Sequence, residues 1–543
     1  MRQIPFSMKT LAVTALALLM AGCANDDAEQ ENTSKHPETK GMTEFAVVDD
    51  AANIKAAPAT RTYGEYTGSS VKFYWTSGDQ LWINNTAATP PLKVSSRSTI
   101  PAGGNELTAK FYFDGIYTAP TYPVRYTGNR NVTGDKVTIA ATQVQQTPND
   151  GAHIGTDGDC GTAVASRQAD GSYQFMLDHK AAYLTFMPYY SKSELASTVS
   201  VTQIKVSATE DMAGTFPFDD NGIQTHTVED PSKIITLTLS EAFKIPSTPN
   251  HAENGAIMVI APKSYTNFTV EYTLKDSKTG VSGTVSKTYS HLTLNAGRNR
   301  PVKFDLGLER YDMKYYMWDA GKDYWDTYTG VLPIKDGDVA EYNGYGTDRY
   351  FNGDGVNLFA VNSCKICPNA NEATLYAFRG DPHWDETTLW VMNGHLYTGG
   401  MWFKKLQYIN TGYTSPVTTY PDGKDYRQNS WWQEWEEEQP EKFHNIWVNV
   451  PAQGKPSDIS QYFYLPAMGY LDNHNSRGEL KIGAYGTYLG FYNGYSGAYW
   501  TSTSVLKSNG SLQAIAFHFS NTEVGLDVDD REWGYPIFKV DGK

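Results

Sequence analysis

Phe268, Val270, Tyr272 and Leu274 alternate with Thr269, Glu271, Thr273 and Lys275. A period of two, carried by β-branched and aromatic residues, marks a strand with one face in a core. Ile235, Leu237 and Leu239 alternate with Thr236 and Thr238 in the same way, and Val302, Phe304, Leu306 and Leu308 form a third set. Turn-forming clusters punctuate these runs, as at Asn149-Asp150-Gly151 and Asp219-Asp220-Asn221-Gly222. No long helical period interrupts residues 42–308. The pattern predicts a mainly β protein with two tandem antiparallel Greek-key sandwiches, residues 42–170 and 171–310, broken near Ala169-Asp170-Gly171.

The character changes after that. Tyr315-Tyr316-Met317-Trp318 and Tyr324-Trp325 make residues 309–330 an aromatic connector, expected to pack onto its neighbours. Residues 311–543 then form a C-terminal, loop-rich α+β domain holding most of the Trp. Glu434-Trp435-Glu436-Glu437-Glu438 reads as a polar insertion with helical character.

The N-terminus carries an address. Arg2 and Lys9 precede an apolar run from Leu11 to Met20, too short for a membrane-spanning helix and of the right length for a signal-peptide core. Ala21-Gly22-Cys23 follows at once and resembles a bacterial lipobox, with Met20 where Leu is more common. The resemblance implies removal of residues 1–22 and acylation of Cys23, and several acyl chains anchor durably. Residues 23–41 begin Cys23-Ala24-Asn25-Asp26-Asp27-Ala28-Glu29. They are polar and cannot bury enough surface to fold, so they read as a tether. The acidic stretch also resembles a surface-export signal of Bacteroidetes lipoproteins.

Composition narrows the function. A net charge of −15 argues against nucleic-acid partners. Four cysteines are present: Cys23, Cys160, Cys364 and Cys367. With Cys23 assigned to lipid, Cys364-Lys365-Ile366-Cys367 is half of a zinc ribbon at most, and reads as a local disulfide or two free thiols. No metal or other cofactor is expected.

Four segments resemble the Bacteroidetes fimbrillin family. They are Phe73-Tyr74-Trp75-Thr76-Ser77-Gly78-Asp79-Gln80-Leu81, Phe175-Met176-Leu177-Asp178-His179-Lys180-Ala181-Ala182, Ala213-Gly214-Thr215-Phe216-Pro217-Phe218 and Leu294-Asn295-Ala296-Gly297-Arg298. The resemblance covers about half the chain and implies transthyretin-like sandwiches in a type V pilus subunit. In that family an arginine-directed protease removes the first strand, and a strand from another pilin subunit fills the vacated groove. Here Phe45-Ala46-Val47-Val48 is the candidate removable strand. Arg61 is the first arginine after Cys23, flanked by small and polar residues, so cleavage is expected between Arg61 and Thr62. His179, between Leu177 and Ala181, is expected to be structural.

In the C-terminal domain, Phe463-Tyr464-Leu465-Pro466-Ala467-Met468-Gly469-Tyr470, Gly497-Ala498-Tyr499-Trp500-Thr501-Ser502-Thr503 and Ala514-Ile515-Ala516-Phe517-His518-Phe519 resemble C-type-lectin-like modules of Bacteroidetes surface proteins. The resemblance implies ligand binding, to a glycan or a cell-surface protein. The sugar-binding triplets of calcium-dependent lectins are missing. Asp527-Val528-Asp529-Asp530 reads as an acidic surface loop, and His383-Trp384-Asp385 as structural. Trp431, Trp432 and Trp435, beside Glu434 and Glu436, are the candidate sugar-stacking residues. With no nucleophile elbow or HExxH motif, an enzyme is not expected. The leading expectation is a tip adhesin of a surface fimbria, exported as an outer-membrane lipoprotein. The alternative is an anchored glycan-binding lipoprotein that never polymerises.

Overall fold

A computed structural model describes residues 39–48, 63–129, 133–340, 359–409, 412–428, 449–472, 478–482, 496–507 and 510–542. The molecule is mainly β, as the alternating runs predict. Its first sheet has nine strands. Across it run Leu92–Val94, Trp82–Asn84, Thr121–Tyr126, Gly161–Arg167, Tyr173–Phe175, Met42–Val47, Lys110–Asp114 and Arg97–Ser98, with Asp178–His179 also paired to Gly161–Arg167. Phe45, Trp75, Ile83, Phe111, Phe113, Val124 and Tyr173 fill the core beneath it.

A five-stranded sheet, Thr142–Gln145, Ile234–Leu239, Val199–Ser207, Ser264–Asp276 and Ser282–Thr293, shares a second core with the three-stranded sheet Ala256–Ile260, Ala182–Tyr189 and Asn299–Asp305. Phe268, Val270, Tyr272 and Leu274 all point inward there, and Tyr272 stacks on Phe304 with ring centres 5.2 Å apart. Strand pairing crosses the expected boundary near residue 170 in both directions. Thr142–Gln145 pairs in parallel with Ile234–Leu239, Lys136–Ile139 pairs with Ala213–Asp219, and Tyr173–Phe175 belongs to the first sheet.

The aromatic connector packs as expected, with Tyr315, Trp318, Tyr324 and Trp325 buried. Asp319 fixes its turn, accepting backbone N–H bonds from Val361 and Asn362 (2.7 Å each) and from Cys364 (3.1 Å). The C-terminal region also holds a helix, Ala370–Arg379, that periodicity alone does not announce. Its signal was Asn369-x-x-Glu372, a capping box in which each side chain satisfies the other residue's backbone N–H. Asp527–Asp530 is not a surface loop. It lies in the strand Val524–Asp530, and Asp529 is buried against His518 (2.7 Å) and Tyr535 (2.9 Å). Burial opposes charge on His518, but the Asp529 carboxylate outweighs it and raises the imidazole pKa.

A hairpin, Leu389–Met392 and His395–Thr398, joins the C-terminal region to the second core. Leu389, Val391 and Leu396 belong to that core. Glu309–Tyr311 runs parallel to the first of these strands. Asp276, at the end of its strand, pairs with His395 Nδ1 at 2.9 Å and accepts the Leu396 N–H at 3.1 Å. Thr279 Oγ1 donates to the Leu396 carbonyl at 3.0 Å, and the Ala196 N–H donates to the Gly394 carbonyl at 2.9 Å. Leu396→Ala would open a cavity between the two regions and is expected to cost about 2–5 kcal/mol, measured by chemical denaturation of the full chain.

Burial opposes the charge on Asp276, yet bonds from His395 and from backbone N–H groups outweigh it and hold its pKa at about 2. A folded value below the unfolded one, about 4, gives stability that is fully present above pH ~4 and lost as pH falls toward 2. Melting temperature is therefore expected to fall more steeply from pH 4 to pH 2 in the native protein than in Asp276→Asn. Parallel curves would disprove this role.

Candidate strand-acceptor groove

The strand Met42–Val47 alternates half-buried and buried residues. It lies inside the first sheet, not at its edge. On one side it runs antiparallel to Lys110–Asp114, with Phe45 opposite Phe111. On the other it runs parallel to Tyr173–Phe175, with Phe45 opposite Tyr173. The Val47 N–H donates to the Ala109 carbonyl and the Val48 N–H to the Phe175 carbonyl, each at 3.0 Å.

Phe45 drops into an aromatic box. Its ring stacks on Tyr173 at 4.5 Å and meets the edge of Phe113 at 4.9 Å, with Tyr117 at 6.0 Å and Tyr122 at 6.2 Å. Such pairs add about 0.5–1.5 kcal/mol each beyond burial. Thr43 is also buried: its hydroxyl donates to the Gly115 carbonyl (2.8 Å) and accepts the Tyr117 N–H (3.2 Å). On the outer face Glu44 pairs with Lys110 at 2.9 Å and accepts the Tyr112 hydroxyl at 3.1 Å. Burial and the Glu44 charge push the Tyr112 phenol up to about 12.

After Val48 the chain enters residues 49–62 and is described again at Tyr63–Tyr66, which pairs with Val71–Thr76 in a different sheet. A cut in this segment would sever the first strand from the strands that follow. Its loss would bare two strand edges and the aromatic box together. Cys23, Arg61, Thr62, Trp431, Trp432 and Trp435 all lie outside the described residues. The sequence reading missed the box. Its signals were Phe111-Tyr112-Phe113 at period two and the tyrosines at 117, 122 and 173.

The other singled-out residues are framework. His179 is buried, stacks on Phe73 at 4.1 Å and pairs with Asp159 at 2.8 Å; Asp159 also accepts the Tyr183 hydroxyl. Asp385 is buried and accepts the Thr388 hydroxyl (2.6 Å), the Thr387 hydroxyl (2.8 Å) and the Trp402 indole N–H (3.0 Å). Cys160, Cys364 and Cys367 are free thiols, all buried. Burial pushes Cys160 and Cys367 well up, which keeps them protonated and poor as nucleophiles. Among the described residues no group of three His, Cys, Asp or Glu side chains could hold a metal ion. A cleft of about 640 Å³ opens between the second core and the connector, lined in part by Glu194, Arg310, Tyr311, Asp312, Lys314 and Trp325.

No protein-family model matches the chain, and no curated protein matches it. Solved structures do. A fimbrial protein from Bacteroides ovatus is 12% identical over 91% of this chain and 98% of its own, with a TM-score of 0.23. A Bacteroides fragilis protein described as a "putative cell adhesion protein" is 14% identical over 48% of this chain and 92% of its own, with a TM-score of 0.26. A Bacteroides uniformis protein of the same description is 13% identical over 49% and 94%, with a TM-score of 0.28. At these TM-scores the likenesses carry no argument, and the functional reading rests on the residues.

Phe45→Ala in the uncleaved chain is expected to cost about 3–5 kcal/mol. Glu44→Gln, on the outer face, should cost under about 1 kcal/mol. Paired urea unfolding curves would show the contrast, and equal costs would mean the box adds nothing.

Proposed function

We propose that this chain is a subunit of a surface fimbria, exported as a lipoprotein acylated at Cys23 and activated by cleavage between Arg61 and Thr62. The observation that carries the reading is the interior first strand, joined to the following sheet through the segment that holds Arg61. Cleavage there frees Met42–Val47 and leaves a sheet with a missing interior member. An unpaired edge over an open apolar groove is costly, so a strand from another pilin subunit binds it tightly. The division into a tether (23–41), two sandwiches (42–170 and 171–310) and a lectin-like C-terminal module (311–543) belongs to the same proposal, with strands traded across residue 170.

The tip of the fimbria is the position proposed. A stalk subunit must both accept and donate a strand. Here Val524–Asp530 and the residues after it are built into the C-terminal core. Phe538 is buried, and Asp541 accepts both the Tyr376 hydroxyl and the Leu406 N–H at 2.8 Å. Donating them would dismantle that core. The C-terminal module then carries adhesion, toward a glycan or a surface protein, with Trp431, Trp432 and Trp435 as proposed contacts.

The cleft beside Tyr311 and Trp325 favours a second reading, an anchored glycan-binding lipoprotein that keeps its first strand. Mass spectrometry of the N-terminus of surface-extracted protein separates the two. A start at Thr62, abolished by Arg61→Ala, is expected. A lipidated, uncut Cys23 in cells that are forming fimbriae would overturn the pilus reading.

A further inference from the structure

The resident strand specifies what can replace it. We infer that the groove selects an incoming strand by a three-point signature: a hydroxyl residue, then an aromatic residue two positions on, then a branched aliphatic residue two further on. The inference rests on the strand-exchange reading above, and it names the partner's chemistry.

Each point follows from a contact. The first is Thr43. Without its hydroxyl, the buried Tyr117 N–H loses its partner, and a buried unpaired group is costly; the Gly115 carbonyl, on an exposed residue, loses its bond as well. The second is Phe45, fully buried in a box of four aromatic rings at 4.5–6.2 Å. A smaller side chain would leave a cavity with walls fixed by their own strands. The Tyr173 hydroxyl, for instance, is held by the Ala119 carbonyl at 2.6 Å. The third is Val47, buried in the same core. Positions 44 and 46 between them face outward and tolerate change, with acid preferred at 44 beside Lys110.

Direction is also set. The neighbours run opposite ways relative to the first strand, Lys110–Asp114 antiparallel and Tyr173–Phe175 parallel. A strand entering reversed would carry its hydroxyl residue into the apolar place of Val47 and its aliphatic residue to the Tyr117 N–H, so the order of the three side chains fixes the direction. A slip by one residue would turn its apolar set to solvent. The partner is therefore a subunit whose donated segment reads Thr/Ser-x-aromatic-x-Val/Ile in this direction.

The test uses protein cut after Arg61, separated from its N-terminal fragment in denaturant and refolded with fluorescent peptides spanning residues 40–49, with binding read by anisotropy. All changes are made in the peptide, so folding of the protein is untouched. The native peptide is expected to bind. Phe45→Ala should weaken binding roughly 100-fold or more, and Thr43→Val roughly 10-fold. Ala46→Ser should bind like the native peptide. If the native peptide binds and Phe45→Ala binds equally, the signature is wrong while strand exchange stands. If the native peptide does not bind the cut protein at all, strand exchange itself fails.

Discussion

A strand in the interior of a sheet has two neighbours to satisfy, and each of them depends on it in return. Met42–Val47 is such a strand. Its backbone closes the ladder between Lys110–Asp114 and Tyr173–Phe175, and its Phe45 closes the aromatic box below. The first sheet is complete only with something in that place. The rest of the proposed biology follows from this, because the strand's link to the next sheet runs through residues 49–62. Tight inclusion and a link through this one segment are what the proposed exchange requires.

The C-terminal region obeys the opposite rule. Its hairpin puts Leu389, Val391 and Leu396 into the second core and fixes His395 on Asp276. The residues up to Asp541 close on Tyr376 and Leu406.

The sequence made the strands legible wherever one face is wet and the other dry. Phe268 to Leu274 and Ile235 to Leu239 fell on the faces their alternation assigned. It hid whatever depends on contacts distant along the chain. The box around Phe45 gathers Phe113, Tyr117, Tyr122 and Tyr173, spread over 129 positions counting from Phe45 (173 − 45 + 1). The trading of strands across residue 170 was invisible for the same reason, since periodicity gives a strand's faces and not its neighbours. Asp529 was misread because an acidic run looks solvated until a buried histidine such as His518 is found opposite. The helix at Ala370 was short enough to escape the periodic signal, and only its cap announced it.

The parallel pairing of Glu309–Tyr311 with Leu389–Met392 has a mechanical meaning. Any force between the two regions travels along the chain that joins them. Tension entering through the connector at residue 312 reaches Arg310 and Tyr311, which lie flat against the hairpin. The three paired residues share the load with the hairpin they lie along. The hairpin, seated by Leu396 and His395, passes it on into the second core. The junction is built as a lap joint, in which the two regions overlap and share bonds along a strand and do not merely meet end to end.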